Sequence, residues 1–322
     1  MAEPDAGVSL PIVVGLGDVD PGRVTDVLEG HAIFVNDYSD DELAAAVGAI
    51  ARADVDIDEA FFERAPALRV VARTGVGVDR VDLSAALSRG IPIVITPGAG
   101  THAVAEGAFA MALHLVKRLT PLTQLVREGR WGGRQDVTVK DLDGATIGIV
   151  GYGRIGQRVG ELARAFDMRV RAYDPVSPPP DEISCTDLSA LAEVSDVLTL
   201  HVPLTDETYH LIDEKVLARM PSGAILINCG RGGLLDLDAA LAALEQGRLA
   251  GVGLDVFEPE PPQRHALFDR PDVVLTPHVM GLTERAFAAI FTDAAQGVVD
   301  VLEGRDPAAV ANPDWDAEGE TP

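Results

Sequence analysis

ATIGIVGYGRIGQRVGELARAF, residues Ala145–Phe166, decides the fold of half of this chain. A buried-type run, Thr146–Val150, empties into Gly151-Tyr152-Gly153-Arg154-Ile155-Gly156. Apolar residues then recur at helical spacing: Ile155, Val159, Leu162, Ala163 and Phe166. Strand, glycine turn and helix in that order are the setting in which this spacing binds a dinucleotide. Gly151 permits the tight turn, Gly153 lets the backbone approach a pyrophosphate, and Gly156 lets helix and strand pack closely. The unpaired N–H groups and positive end of the helix then face the phosphates. The next strand, Arg169–Tyr173, leads into Asp174, eighteen residues after Gly156. A carboxylate there can accept the ribose hydroxyls and repels a 2′-phosphate, so NAD is expected rather than NADP.

Working outward, short apolar runs alternate with helix-like segments along the whole chain. Candidate strands are Ile12–Gly15, Ala32–Val35, Val47–Ile50, Arg69–Ala72, Ile93–Ile95, Thr146–Val150, Arg169–Tyr173, Val197–Leu200, Ala224–Ile227, Gly251–Leu254 and Val273–Leu275. Val47–Ile50 is the weakest of these. Nearly continuous apolar strands separated by helices imply parallel sheets covered on both faces. The right-handed crossover rule then leads to α/β architecture, with two Rossmann-like, doubly wound domains and a cleft between them. A Pro/Gly break at Ile95–Gly100 ends the first domain, and one long helix, Ala103–Leu119, follows. The last helix, Glu284–Leu302, has no strand after it and is expected to return to the first domain. The expected division is therefore 1–100 with 284–322 as substrate domain and 101–283 as NAD-binding domain. The acidic tail DWDAEGETP is expected to fray.

Composition narrows the function. The chain has 322 residues, 47% hydrophobic and 24% charged, which suits a globular protein with large cores. Its formal net charge of -25 repels phosphate backbones and anionic membranes, which argues against a nucleic-acid or membrane partner. Lys117, Lys140 and Lys215 are the only lysines, so arginine supplies most positive charge. An anionic substrate would then need arginines concentrated locally. Two cysteines, Cys185 and Cys229, fit a reducing cytoplasm better than a disulfide framework. No metal-ligand set is assigned. The N-terminal apolar stretch lacks a basic segment before it and reads as a first strand rather than a signal peptide.

Three later segments carry chemistry. In ILINCGRGGLLD the strand Ala224–Ile227 empties into Asn228-Cys229-Gly230-Arg231-Gly232-Gly233, where an arginine could meet a carboxylate through its planar fork. GLDVFEPEPP supplies Asp255, Glu258 and Glu260; acids in such a proline-rich loop are usually only solvated. VVLTPHVMG supplies His278 after a strand and a proline. Ketone reduction by a nicotinamide needs a proton donor, and the reverse needs a base. Histidine, with an unperturbed pKa of ~6.5, suits both. A neighbouring carboxylate would orient its ring, and an arginine would grip the substrate carboxylate and polarise the carbonyl.

These segments, with RTGVGVDRVDL, TPGAGTHAVAE, YDP and HVPLTDET, resemble the D-isomer-specific 2-hydroxyacid dehydrogenases, and within them the D-3-phosphoglycerate dehydrogenases. The likeness runs from about Gly48 to Glu303. It implies Arg231, Glu260 and His278 as the catalytic set. It implies cofactor contacts at Val76, Gly151, Gly153, Arg154, Ile155, Gly156, Asp174, His201, Val202, Pro203, Cys229, Gly230, Arg231, Asp255, His278, Met280 and Gly281. It implies a homodimer built partly by the long helix after the first domain. The Thr74–Gly77 loop, with Val76 and Gly77, would offer N–H groups to the carboxylate of a small anionic 2-hydroxy or 2-keto acid, beside Arg231 and His278. Arg52 and Arg73 match arginines that phosphoglycerate enzymes use near the substrate phosphate, which points to D-3-phosphoglycerate oxidation in serine biosynthesis.

The chain departs from that pattern in places. Gly100 stands where asparagine or serine is usual, Asp79-Arg80-Val81-Asp82 replaces a DNVD pattern, and Met280 stands where a small residue is usual. Met280 is expected to tighten the nicotinamide end of the pocket. With no serine-binding regulatory domain in the sequence, no serine feedback is expected. The alternatives are a glyoxylate or hydroxypyruvate reductase, which needs no phosphate site, and a non-catalytic NAD-sensing dimer that binds a protein partner.

Overall fold

The computed structural model describes residues 10–312, 314 and 315. The chain divides into two compact units, one comprising the residues up to Gly100 with those from Glu284 onward, the other Thr101–Thr283.

The first unit holds strands β1 (Ile12–Leu16), β2 (Ile33–Val35), β3 (Ala46–Ala51), β4 (Val70–Arg73) and β5 (Ile93–Val94). All pair in parallel, in the order β2-β1-β3-β4-β5. Helices α1 (Pro21–Leu28), α2 (Asp40–Ala45), α3 (Glu59–Arg64) and α4 (Leu83–Ser88) connect them. Each starts at a side-chain cap: Asp20, Ser39, Asp58 and Asp82 accept the otherwise unpaired N–H groups of the first turn. The weak β3 segment is the central strand and is longer than expected, because Ala46 and Ala51 are small enough to be fully buried between neighbours.

The sheet of the second unit contains β6 (Thr146–Val150), β7 (Arg169–Tyr173), β8 (Val197–Leu200), β9 (Ala224–Asn228), β10 (Leu249–Leu254) and β11 (Val273–Leu275). Its order is β11-β10-β9-β8-β6-β7, again all parallel. Its helices are α5 (Thr101–Val116), α6 (Leu119–Arg127), α7 (Arg154–Ala165), α8 (Leu188–Val194), α9 (Glu214–Arg219) and α10 (Leu237–Glu245). The helix expected at about Ala103–Leu119 is α5, which stops at Val116: Arg118 turns left-handed at φ 52 and α6 begins after it. The Arg118 guanidinium donates to the Ala250 carbonyl, which fixes the corner.

The final helix, α11 (Glu284–Leu302), packs against α1, β3, β4 and β5 of the first unit through an apolar stripe including Phe291, Ala294, Ala295 and Val298. Gly297 permits this approach, since a Cβ there would lie 2.5 Å from Val94 Cγ1. The chain then bridges Val94 antiparallel at Val310, and buried Asn312 pairs with both Ile91 and Ile93 backbone. Trp315, expected in a fraying tail, instead donates its indole N–H to the Gly90 carbonyl. The tail from Asp316 onward lies outside the described residues.

Candidate active site

In an open parallel sheet, ligands meet the carboxyl ends of strands where the strand order reverses. In the second unit that point lies between β6 and β8. Gly151, at φ 89, leaves β6 there; a Cβ on it would lie 2.7 Å from the His201 carbonyl. Gly156 is equally obligatory, because a Cβ would collide with the Gly151 carbonyl. Gly153 differs: nothing lies within 4 Å of the Cβ position, and α7 begins at the next residue. An open backbone at a helix N-terminus, floored by two crowded glycines, is what a pyrophosphate requires. These residues fit a dinucleotide, and Arg154 and Ile155 open the helix beside it.

Asp174 follows β7 as expected, but its carboxylate is partly committed. Oδ2 accepts from Tyr152 N–H, and Oδ1 accepts from Val176 and Ser177 N–H. A carboxylate has about four acceptor positions, so little capacity remains for ribose hydroxyls. His201 opens the segment His201-Val202-Pro203 after β8. Its Nε2 pairs with Thr199 Oγ1 while its buried Nδ1 has no partner. Burial pushes this imidazole down to about 4, so it is neutral near pH 7.

The three chemical segments follow three adjacent strands, β9, β10 and β11. Asn228, fully buried at the end of β9, shapes the first of these loops: its side chain donates to the Arg231 carbonyl and accepts from Gly230 N–H. Arg231 Nη1 donates to the Gly230 carbonyl. Gly232 lies against the backbone of Phe257 and Glu258, where a Cβ would collide, so the first and second loops touch. Cys229 is buried, and burial with the nearby Asp255 charge pushes its thiol up to about 12.

The second and third loops meet through Asp255 and Glu260. Asp255 is 2% exposed, not solvated as acids in such loops usually are. Its Oδ1 accepts from Thr276 Oγ1 at 2.6 Å and Val279 N–H at 2.9 Å, and Oδ2 accepts from Met280 N–H at 3.1 Å. The Asp255 carbonyl accepts from His278 N–H at 2.7 Å. This clamp holds His278 at φ 53, a left-handed conformation. The ring then places Nδ1 2.8 Å from Glu260 Oε2, while Glu260 Oε1 accepts from Phe257 N–H at 2.9 Å. Both side chains are accessible, at 48% and 37%. A half-open histidine oriented by a fixed carboxylate can move a proton to or from an external oxygen.

Residues 109–280 match the model of the D-isomer specific 2-hydroxyacid dehydrogenase, NAD binding domain. The chain belongs to this family. It is 39% identical over 269 residues to glyoxylate reductase of Thermococcus litoralis, covering 80% of this chain and 81% of that one. It is 37% identical over 257 residues to D-3-phosphoglycerate dehydrogenase of Synechocystis sp., covering 79% of this chain but 46% of that one. The crystal structure of Aquifex aeolicus D-lactate dehydrogenase, complexed with NAD and lactic acid, superposes with TM-score 0.79 at 29% identity, over 91% of this chain and 96% of that one. The protein is therefore an NAD-dependent D-2-hydroxyacid dehydrogenase, and its substrates are small hydroxy or keto acids.

Among the residues expected to serve this dehydrogenase, the structure brings Arg231, Glu260 and His278 onto neighbouring loops. The residues expected near a substrate phosphate divide. Arg73 is 2% exposed, and its guanidinium donates to the carbonyls of Arg52, Ala53, Val55 and Gly77. That corrects its expected place: it shapes the loops after β3 and β4. Burial holds its pKa below the usual arginine value. Arg52 lies with its guanidinium carbon 5.3 and 5.6 Å from the ring centroids of Phe287 and Phe291, and forms no ion pair among the described residues. Val76 is exposed on the loop that continues through Gly77. The Met280 side chain packs onto α5 at Gly107. The loop-shaping role of Asn228 and the place of Gly107 were missed in the sequence. An asparagine opening a glycine run, and a lone glycine inside an apolar helix, were the available signals.

Proposed function

We propose that this dehydrogenase interconverts a small, unphosphorylated 2-keto acid, such as glyoxylate or hydroxypyruvate, and the corresponding 2-hydroxy acid. The observation that carries this reading is the His278–Glu260 pair at 2.8 Å, on a loop adjoining that of Arg231. Glu260 is the acceptor, so Nδ1 carries the proton and Nε2 faces the reacting oxygen. In reduction the ring starts with a proton on both nitrogens and Nε2–H gives its own to the carbonyl oxygen as hydride adds to the carbon; in oxidation the ring starts with Nδ1–H alone and Nε2 takes the hydroxyl proton. Arg231 holds the substrate carboxylate through its fork. When bound, NAD supplies the hydride acceptor or donor at its nicotinamide ring. The committed guanidinium of Arg73 favours an unphosphorylated substrate, since one of the two arginines expected for a phosphate is already satisfied by carbonyls.

A second reading, oxidation of D-3-phosphoglycerate in serine biosynthesis, is supported by Arg52, which has no carboxylate partner among the described residues. Rates with glyoxylate and hydroxypyruvate against NADH, compared with D-3-phosphoglycerate against NAD, separate the two. Activity confined to the phosphorylated substrate would overturn the first reading.

A homodimer is part of this proposal, supported by the exposed apolar side chains Leu119, Val126 and Trp131 on α6 and the turn after it. So is a reducing cytoplasmic location, supported by free Cys185 and Cys229. Among the described residues, no helix is long and apolar enough to cross a membrane.

A further inference from the structure

Helix α5 carries a glycine, Gly107, in its buried middle, where helix propensity alone favours alanine. The space beside it is filled. A Cβ at residue 107 would lie 2.5 Å from Met280 Sδ and 2.8 Å from both Cβ and Cγ of Met280. The flexible end of a methionine could step aside, but its Cβ moves only with the backbone. Met280 is two residues beyond His278, and its N–H is held by Asp255 Oδ2. The loop is thus fixed at two places: by the Asp255 clamp on the backbone and by the Met280 side chain in a notch of α5. The clamp also holds His278 by its own N–H, two residues before the peg, in a left-handed conformation uncommon for non-glycine residues.

We propose that Met280 and Gly107 act as a peg and notch that position the catalytic histidine. Met280 is a positioning residue: it acts through the loop and needs no contact with the reacting atoms. The notch and the peg are matched: a Cβ added at 107 pushes the loop, a shortened side chain at 280 loosens it, and the two together relieve the Sδ and Cγ part of the push. This rests on His278 being the acid–base residue.

The test is a kinetic cycle of Gly107→Ala, Met280→Ala and the double variant, with His278→Ala alongside, using NADH with hydroxypyruvate and glyoxylate. NADH affinity is measured separately by fluorescence titration. A displacement of about 1 Å costs roughly 10²-fold in rate, so Gly107→Ala should lose kcat on that scale with KM and NADH affinity changed little. Met280→Ala should lose less, since it loosens the loop without pushing it. The double variant removes the Sδ and Cγ contacts but keeps the Cβ of residue 280, so it should recover part of the kcat lost in Gly107→Ala. Full kcat in Gly107→Ala, or no recovery in the double variant, would overturn the proposal. If Gly107→Ala does not fold, Met280→Ala decides: unchanged kcat overturns the proposal, and reduced kcat at unchanged NADH affinity supports it. Unimpaired turnover in His278→Ala would instead overturn the assignment of His278, whatever the other variants do.

Discussion

Arg73 and Arg231 both stand at or just beyond the carboxyl end of a buried parallel strand, and the fold uses them in opposite ways. Arg73 ends β4 with its side chain inside, and four backbone carbonyls occupy its guanidinium. Arg231 follows β9 in a glycine loop whose shape is set by another residue, Asn228. In the first loop the arginine is the scaffold; in the second the scaffold is an asparagine. Position at a strand end therefore marks a candidate, and full burial against several carbonyls marks an arginine as support.

The comparison can be broken by exchanging readouts. Arg231→Ala should lower kcat/KM by roughly 10³-fold, the scale of losing a group that stabilises developing charge, with the thermal midpoint barely moved. A large fall in stability would mean that Arg231 is also scaffold. Arg73→Ala should do the reverse. Leaving several buried carbonyls without donors should cost about 3 kcal/mol in denaturant unfolding. A stable variant that had lost only activity with phosphorylated substrate would return Arg73 to the substrate.

Two smaller effects sharpen the picture. His201 is held near 4 in the folded chain against about 6.5 unfolded, so protons favour the unfolded state as pH falls from 6.5 towards 4. Its contribution to stability is present above pH 6.5 and is lost across that window, by roughly 2 kcal/mol between pH 7 and pH 5. Urea unfolding of His201→Gln at both pH values should show a shallower loss than the parent chain, and an equal loss would contradict this. Arg52→Ala, the smallest, should leave hydroxypyruvate reduction within about twofold, because a group touching neither carboxylate nor carbonyl gives no transition-state stabilisation. A large loss confined to phosphorylated substrate would revive the second reading.

Much of this was legible in the sequence because it is local. The alternation of apolar runs and helices gave all eleven strands, and Gly151, Gly153 and Gly156 marked the dinucleotide turn. Arg231, Glu260 and His278 were legible through resemblance, and the adjacency of β9, β10 and β11 explains why three distant segments converge. What escaped was long-range. Nothing in VVARTGVG shows that Arg73 meets carbonyls about twenty residues earlier. Nothing in GLDVFEPEPP separates buried Asp255 from exposed Glu258 and Glu260. Met280 beside Gly107 joins residues far apart in the chain, and the break at Arg118 depends on a carbonyl at Ala250. Periodicity reports which face is buried, not which polar group waits there.

The central claim is that His278, oriented by Glu260, moves the proton while NAD exchanges hydride. It is tested most directly by single-turnover NADH oxidation with hydroxypyruvate and with glyoxylate, comparing the parent chain with His278→Ala at matched NADH occupancy. The account predicts rapid oxidation with at least one of these acids in the parent, and a fall of 10² to 10⁴-fold in the variant with NADH binding retained. Equal rates in both proteins would contradict it.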